Sequence, residues 1–178
     1  MTERKIRKLI EEKRKYFWWA GGLTIALDQL SKFWLASTGE TVYAQVVIPG
    51  LLNIVGVPPN TQGAFSLGPE SPLFYVLATV VGLGLIGWFF LGTPSDRALP
   101  FLSLGCLAGG AVGNLIDRLI FGGVRDFIDA HWFGRYHWPA FNVADIAICV
   151  GVAFLFREVL FGPDSEKQQE NGARTESE

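Results

Sequence analysis

The sequence predicts an all-α membrane protein: a bundle of four transmembrane helices with a small extracytoplasmic β-hairpin cradle and a lid-like loop or short helix. Composition is the first observation behind this. Of 178 residues, 49% are hydrophobic and only 18% are charged, against about a quarter charged in ordinary soluble domains. Charge placement is the second. Arg4, Lys5, Arg7, Lys8, Lys13, Arg14 and Lys15 crowd the first fifteen residues, and Asp164, Glu166, Glu170, Glu176 and Glu178 crowd the last fifteen. The third is the long uncharged runs between them, which exclude a soluble globule or a disordered chain.

Four apolar segments reach the roughly 20 residues that a bilayer requires. They run from about Phe17 to Ala36, Pro72 to Leu91, Ala98 to Ile116 and Ala140 to Phe161. The second and third contain no charge. The first holds Asp28 and Lys32, and the fourth holds Asp145 near its start and Arg157 and Glu158 near its end. Orientation follows from Lys and Arg. The N-terminal stretch is strongly basic, whereas residues 37–71 contain neither residue type. Both termini and the short link Gly92–Arg97 are therefore expected in the cytoplasm, with 37–71 and 117–139 outside. The expected divisions are a basic N-terminal extension over 1–16, a four-helix transmembrane domain over 17–161 and a polar, disordered tail over 162–178. The first apolar run is interrupted by Asp28 and Lys32 and lacks an A-x-A site, so it reads as a span and not a cleavable signal.

The outer segment has its own pattern. In TVYAQVVI, Val42, Ala44, Val46 and Ile48 alternate, and Pro49-Gly50 supplies a turn before Leu51–Val57 returns as a second strand. The Pro- and Gly-rich stretch after it suits a mobile cover, with a short helix over Gln62–Leu67 at most. The third span ends at Gly122-Gly123, since glycine adopts the left-handed cap conformation cheaply. Gly109 and Gly113 make a small-xxx-small pair for close helix approach. If VRDFID is extended, Asp126 shares a face with Val124 and Ile128, while Arg125 and Asp129 take the other.

Polar groups at membrane depth need a partner or a function. Asp28 and Lys32 can pair at i, i+4, either as a self-neutralising tie or in contact with the reacting groups. Asn114, Asp117 and Arg118 form one polar face at the outer end of the third span. Asn142 is placed to cap the fourth helix, and Asp145 follows in its first turn. No Ser–His or Cys–His pair sits at depth. Cys106 and Cys149 lie in apolar runs, and His131 and His137 share a Trp-rich outer loop. A disulfide framework and a zinc site are therefore not expected, no cofactor is implied, and no basic patch with interleaved aromatics points to nucleic acid. Asp126 and Asp145, both at the outer boundary, remain as the one complete catalytic set. Two close carboxylates share a proton, so one can act as base on water while the other donates to the carbonyl under attack.

These residues fall in motifs that resemble a known family. DQLSKFW (Asp28–Trp34), NTQGAFSL (Asn60–Leu67), GNLIDR (Gly113–Arg118), VRDFID (Val124–Asp129) and FNVADIAI (Phe141–Ile148) look like the successive motifs of lipoprotein signal peptidase, signal peptidase II, in the family's order. The resemblance covers about residues 17–161. It implies a bacterial inner-membrane aspartyl endopeptidase that cuts prolipoproteins just before their diacylglyceryl-modified cysteine. Its implied partners are those substrates and membrane lipids, with inhibition by globomycin-type cyclic peptides. Carried over by position, the catalytic aspartates fall on Asp126 and Asp145. Asn114 and Arg118 match positions lining the site, and Asp28, Lys32, Asn60, Asp117 and Asn142 match supporting ones. Where the family reads N-x-G-A-A-F, this chain has N-T-Q-G-A-F, so Gln62 and Gly63 depart from the pattern. Phe65 is expected either to shield the dyad or to anchor the loop in the interface, and Asn60 to meet substrate backbone. The Gly-x-Gly-Asp signature of presenilin-type proteases is absent. A small transporter or assembly factor with proton-relay aspartates is the non-enzymatic alternative. It would need polar residues through the bilayer, which the second span lacks.

Overall fold

A computed structural model describes residues 3–37, 43–56, 58–62, 69, 71–93 and 97–162. Phe65, most of the expected 62–67 helix and the tail from 163 onward lie outside the described residues. Four helices carry the fold: α1 (Glu3–Ala36), α2 (Pro72–Gly92), α3 (Ala98–Phe121) and α4 (Val143–Phe161). Between them lie four short strands, β1 (Tyr43–Ile48), β2 (Leu52–Gly56), β3 (Ile128–Trp132) and β4 (Tyr136–His137). The chain is thus mostly helical with a small antiparallel sheet. Helices α2 and α3 are each long and apolar enough to cross a membrane. Large apolar side chains stand exposed along the helices, among them Trp19 and Leu30 on α1, Val81 and Trp88 on α2 and Phe156 on α4. Water does not favour a surface of that extent, whereas lipid does.

Helix α3 is the centre of the bundle and touches the other three helices. Glycine makes this possible. A Cβ on Gly105 would lie 2.5 Å from Phe17 O, and one on Gly109 would lie 2.7 Å from Gly21 O. A Cβ on Gly110 would lie 2.5 Å from Ala144 O of α4. The backbones of α1 and α4 therefore rest directly on α3, one on either side. Gly110→Ala should cost about 1–3 kcal/mol through this overlap and shift the helix turn that carries Asp145. A Gly110→Ala protein with an unchanged melting temperature would show that α4 yields freely at this contact.

The expected hairpin is present. Strands β1 and β2 pair antiparallel from Tyr43↔Gly56 to Ile48↔Leu52, with a bulge between Val46 and Ile48. Gly50 supplies the turn at φ +79, and a Cβ there would meet the Phe133 ring at 2.7 Å. The sheet is larger than the sequence pattern indicates. Strand β3 joins β2 in the register Asn53↔Asp129, and β4 closes the order β1-β2-β3-β4. Extended pairing in VRDFID begins only at Ile128, and the preceding residues are fixed by separate bonds. Asn60 and Val124 form an isolated bridge, N to O at 2.7 and 2.8 Å, while the N–H groups of Phe127 and Ile128 both donate to Phe141 O. Gly123 lets Asn60 approach, since a Cβ there would lie 2.8 Å from Asn60 O. Asp126 is therefore held between two clasps.

Candidate active site

The N-terminus of α4 is built by a reciprocal cap. The Asp145 N–H donates to Asn142 Oδ1 at 3.1 Å, and the Asn142 N–H donates to Asp145 Oδ2 at 3.1 Å. This satisfies two otherwise unpartnered helix-end donors and orients Asp145 in the first turn. It also settles the Asn142 amide, because a backbone N–H requires the oxygen. The Nδ2 of Asn142 consequently faces elsewhere, donating to Asp126 Oδ1 at 2.8 Å and to Asn114 Oδ1 at 3.0 Å. One fully buried asparagine thus bridges both aspartates.

The other oxygens of the pair are also held. Asp126 Oδ2 accepts from Asn60 Nδ2 at 3.1 Å, and Asp145 Oδ1 accepts from Asn114 Nδ2 at 2.9 Å. The Asn114 amide has its own orienter in Lys32, whose Nζ lies 3.2 Å from Asn114 Oδ1. An ammonium only donates, so the Asn114 oxygen must face Lys32 and its NH₂ must face Asp145. Lys32 is buried between Asp28 Oδ2 at 2.8 Å and Asp117 Oδ2 at 3.2 Å. Asp28 Oδ1 accepts the Ala144 N–H at 3.0 Å, which ties α1 to the first turn of α4. Asp117 also accepts from Arg125, from Nε at 3.2 Å and Nη2 at 2.6 Å.

Asp126 and Asp145 line one cleft of about 540 Å³ together with Asn60, Gln62, Asn114 and Arg118. Its remaining wall is largely apolar: Ala78, Gly82 and Ile86 from α2, Ala111 from α3, and Ile148 and Cys149 from α4. The Arg118 guanidinium lies 5.4 Å from the Tyr75 ring centroid. Burial pushes the Asp126 carboxyl up to about 6, reinforced by the Asp145 charge and opposed by the Asn60 and Asn142 hydrogen bonds. A carboxyl so placed holds a proton within reach of neutral pH. An ionisable pair in an apolar cleft, each oxygen fixed by a donor, is suited to general acid–base hydrolysis.

Of the residues expected at the site, Asp126, Asp145, Asn60, Asn114 and Arg118 line the cleft. Asn142, Asp28, Lys32 and Asp117 lie behind it and contact it only through hydrogen bonds. The pairing of Asp28 with Lys32 is present, and Lys32 reaches Asp145 only through Asn114. Two participants were not singled out from the sequence. Gln29 donates to Asp28 Oδ2 at 2.9 Å, and Tyr75 forms part of the cleft wall. Gln29 adjoins Asp28 in the chain, the one signal that could have marked it.

The profile of the signal peptidase II family matches residues 21–161. A lipoprotein signal peptidase of Thermosynechococcus vestitus is 44% identical over 147 residues, covering 80% of this chain and 90% of that one. One from Syntrophotalea carbinolica is 40% identical over 136 residues, covering 75% and 83%. A solved bacterial membrane enzyme superposes with a TM-score of 0.74 at 29% identity, covering 81% of this chain and 87% of that chain. With both sequence and fold matched, the chain belongs to the signal peptidase II family of aspartic endopeptidases.

Proposed function

We propose that Asp126 and Asp145 are the catalytic dyad with which this chain removes signal peptides from prolipoproteins, cutting on the N-terminal side of the diacylglyceryl-modified cysteine. The observation that carries this reading is Asn142, whose N–H and NH₂ hold the two carboxylates in one cleft. In the reaction the ionised carboxylate takes a proton from water as that water attacks the scissile carbonyl. The protonated carboxylate donates to the carbonyl oxygen. Collapse of the tetrahedral intermediate then passes a proton to the leaving amine. Asn60, Asn114 and Asn142 keep the carboxylates in place throughout, and Arg118 faces the cleft as a donor for substrate backbone.

The surroundings fit a lipid-anchored substrate. The apolar cleft walls on α2 and α4 can receive a signal-peptide segment from the side. All four helices span the bacterial inner membrane in this reading, with residues 1–16 and 162–178 in the cytoplasm and the dyad near the outer face. The helix α1 runs unbroken from Glu3, so the basic stretch continues the first span as helix. Globomycin-type cyclic peptides compete for the cleft in this reading.

Purified protein should cleave a lipid-modified lipobox peptide at the cysteine, and Asp126→Asn protein should not. No cleavage by the intact enzyme in several lipid mixtures would overturn the reading. The acid role also predicts a pH dependence. Deprotonation of Asp126 leaves both carboxylates ionised and removes the proton donor, so kcat/KM should fall as pH rises through about 6. This apparent value belongs to the pair. A kcat/KM profile that still climbs between pH 6 and 8 would contradict it. Cleavage should be indifferent to EDTA, and activity lost on chelation and restored by a metal ion would require a different mechanism.

A further inference from the structure

A second groove, of about 570 Å³, lies between α1 and α3 and shares no lining residue with the cleft. Its apolar wall comes from Ile25, Leu30 and Phe33 on α1 and from Ile120 and Phe121 on α3. At the end of the bundle that holds the dyad, Gln29 on α1 and Arg125, just past the end of α3, make its polar part. The Arg125 guanidinium stacks 4.2 Å from the Phe121 ring centroid. Its Nε and Nη2 are committed to Asp117 and, at 3.3 Å, to Gln29 Oε1. Its Nη1 makes no hydrogen bond among the described residues. Asp117 is fully buried behind it, whereas the Arg125 side chain is 19% exposed. Anything entering the groove meets the cation first.

We propose that this groove binds a glycerophospholipid, one acyl chain lying against Leu30, Phe33 and Ile120 and the phosphodiester oxygens accepting from Arg125 Nη1. The inference rests on α1 and α3 being membrane spans, as read above. The two Nη1 N–H groups have no acceptor among the described residues, and the partly exposed side chain leaves them open to one that enters the groove. A phosphodiester oxygen can accept from Nη1 and carries charge opposite to the guanidinium, and its lipid brings its own chain into the adjoining groove. Apolar wall and cationic donor together therefore select a lipid with a phosphate over a neutral one. The site is coupled to the dyad through the chain itself. Arg125 directly precedes Asp126, and its own N–H donates to Asp117 Oδ2 at 2.9 Å. Occupying Nη1 restrains the guanidinium that holds this segment, so the bound lipid steadies Asp126 from behind.

Native mass spectrometry of the full chain in detergent, titrated with dioleoyl phosphatidylglycerol or with dioleoylglycerol, tests the proposal. Phosphatidylglycerol should form a 1:1 adduct and dioleoylglycerol should not. Arg125→Gln removes the donors, and Ala26→Phe fills the groove without touching a polar contact. Each should weaken the adduct roughly five- to tenfold, the scale of one charge-assisted hydrogen bond or one seated chain segment. Wild-type affinity in either variant, or equal binding of dioleoylglycerol, would overturn the site. Because adduct formation needs no turnover, the outcome is independent of whether the dyad assignment holds.

Discussion

Asp126→Asn and Asp145→Asn each lower cleavage by roughly 10²- to 10⁴-fold, the range for removing a positioned acid or base. The double variant is little worse than either single one, because the carboxylates act as a unit. The folded protein should survive both changes. Asp126 carries a raised pKa of about 6 against 3.8 in the unfolded chain. A carboxyl shifted in that direction favours the folded state fully below the unfolded value and loses that contribution as pH rises through about 6, on the order of 3 kcal/mol in all. Asp126→Asn is neutral at every pH and escapes this loss, although its amide must share the position with two donors. Its melting temperature at pH 8 should therefore be no lower than that of the wild type. An Asp126→Asn enzyme with near-normal turnover would remove the residue from the dyad. An inactive variant that has also unfolded would leave Asp145→Asn, whose capping oxygen remains, as the deciding measurement.

How much of this was legible in the sequence depends on distance along the chain. The local features could be read directly: the Gly50 turn, the glycine end of α3, the Asn142 cap and the i, i+4 pair of Asp28 and Lys32. Each is decided by a few neighbouring residues. The strand β3 was missed although Ile128, Ala130 and Trp132 alternate with Asp129 and His131, because so short an alternation becomes a strand only by pairing with β2. Arg125 was correctly expected to point away from Asp126, but its reason, the Asp117 carboxylate, lies on a helix whose rotation the sequence does not specify. The same holds for the bridge through Asn142. A cap residue and two separate aspartates could each be named, yet their common contact depends on how closely α3 and α4 approach. Gly110 is a local residue with that non-local consequence.

Lys32 is the residue whose loss should cost the fold most. It is 1% exposed and neutralises two fully buried carboxylates, Asp28 and Asp117. Lys32→Met keeps most of the volume and removes the charge. It strands Asp28 with only neutral donors, Gln29 Nε2 and the Ala144 N–H, while Asp117 keeps Arg125. Breaking a buried pair from one side costs about 3–5 kcal/mol, far more than the intact pair contributes. Lys32→Met should therefore melt well below the wild type, and Asp28→Asn added to it should recover part of the loss by removing the stranded charge. The two changes are then strongly non-additive. Lys32 and Asn142 Nδ2 together fix which end of the Asn114 amide faces Asp145. In the double variant only Asn142 Nδ2, at 3.0 Å, still holds the Asn114 oxygen, so cleavage should recover less than stability does. A double variant that regains both would show that Asn114 keeps its orientation without Lys32. A Lys32→Met protein as stable as the wild type would show that the buried carboxylates do not depend on Lys32.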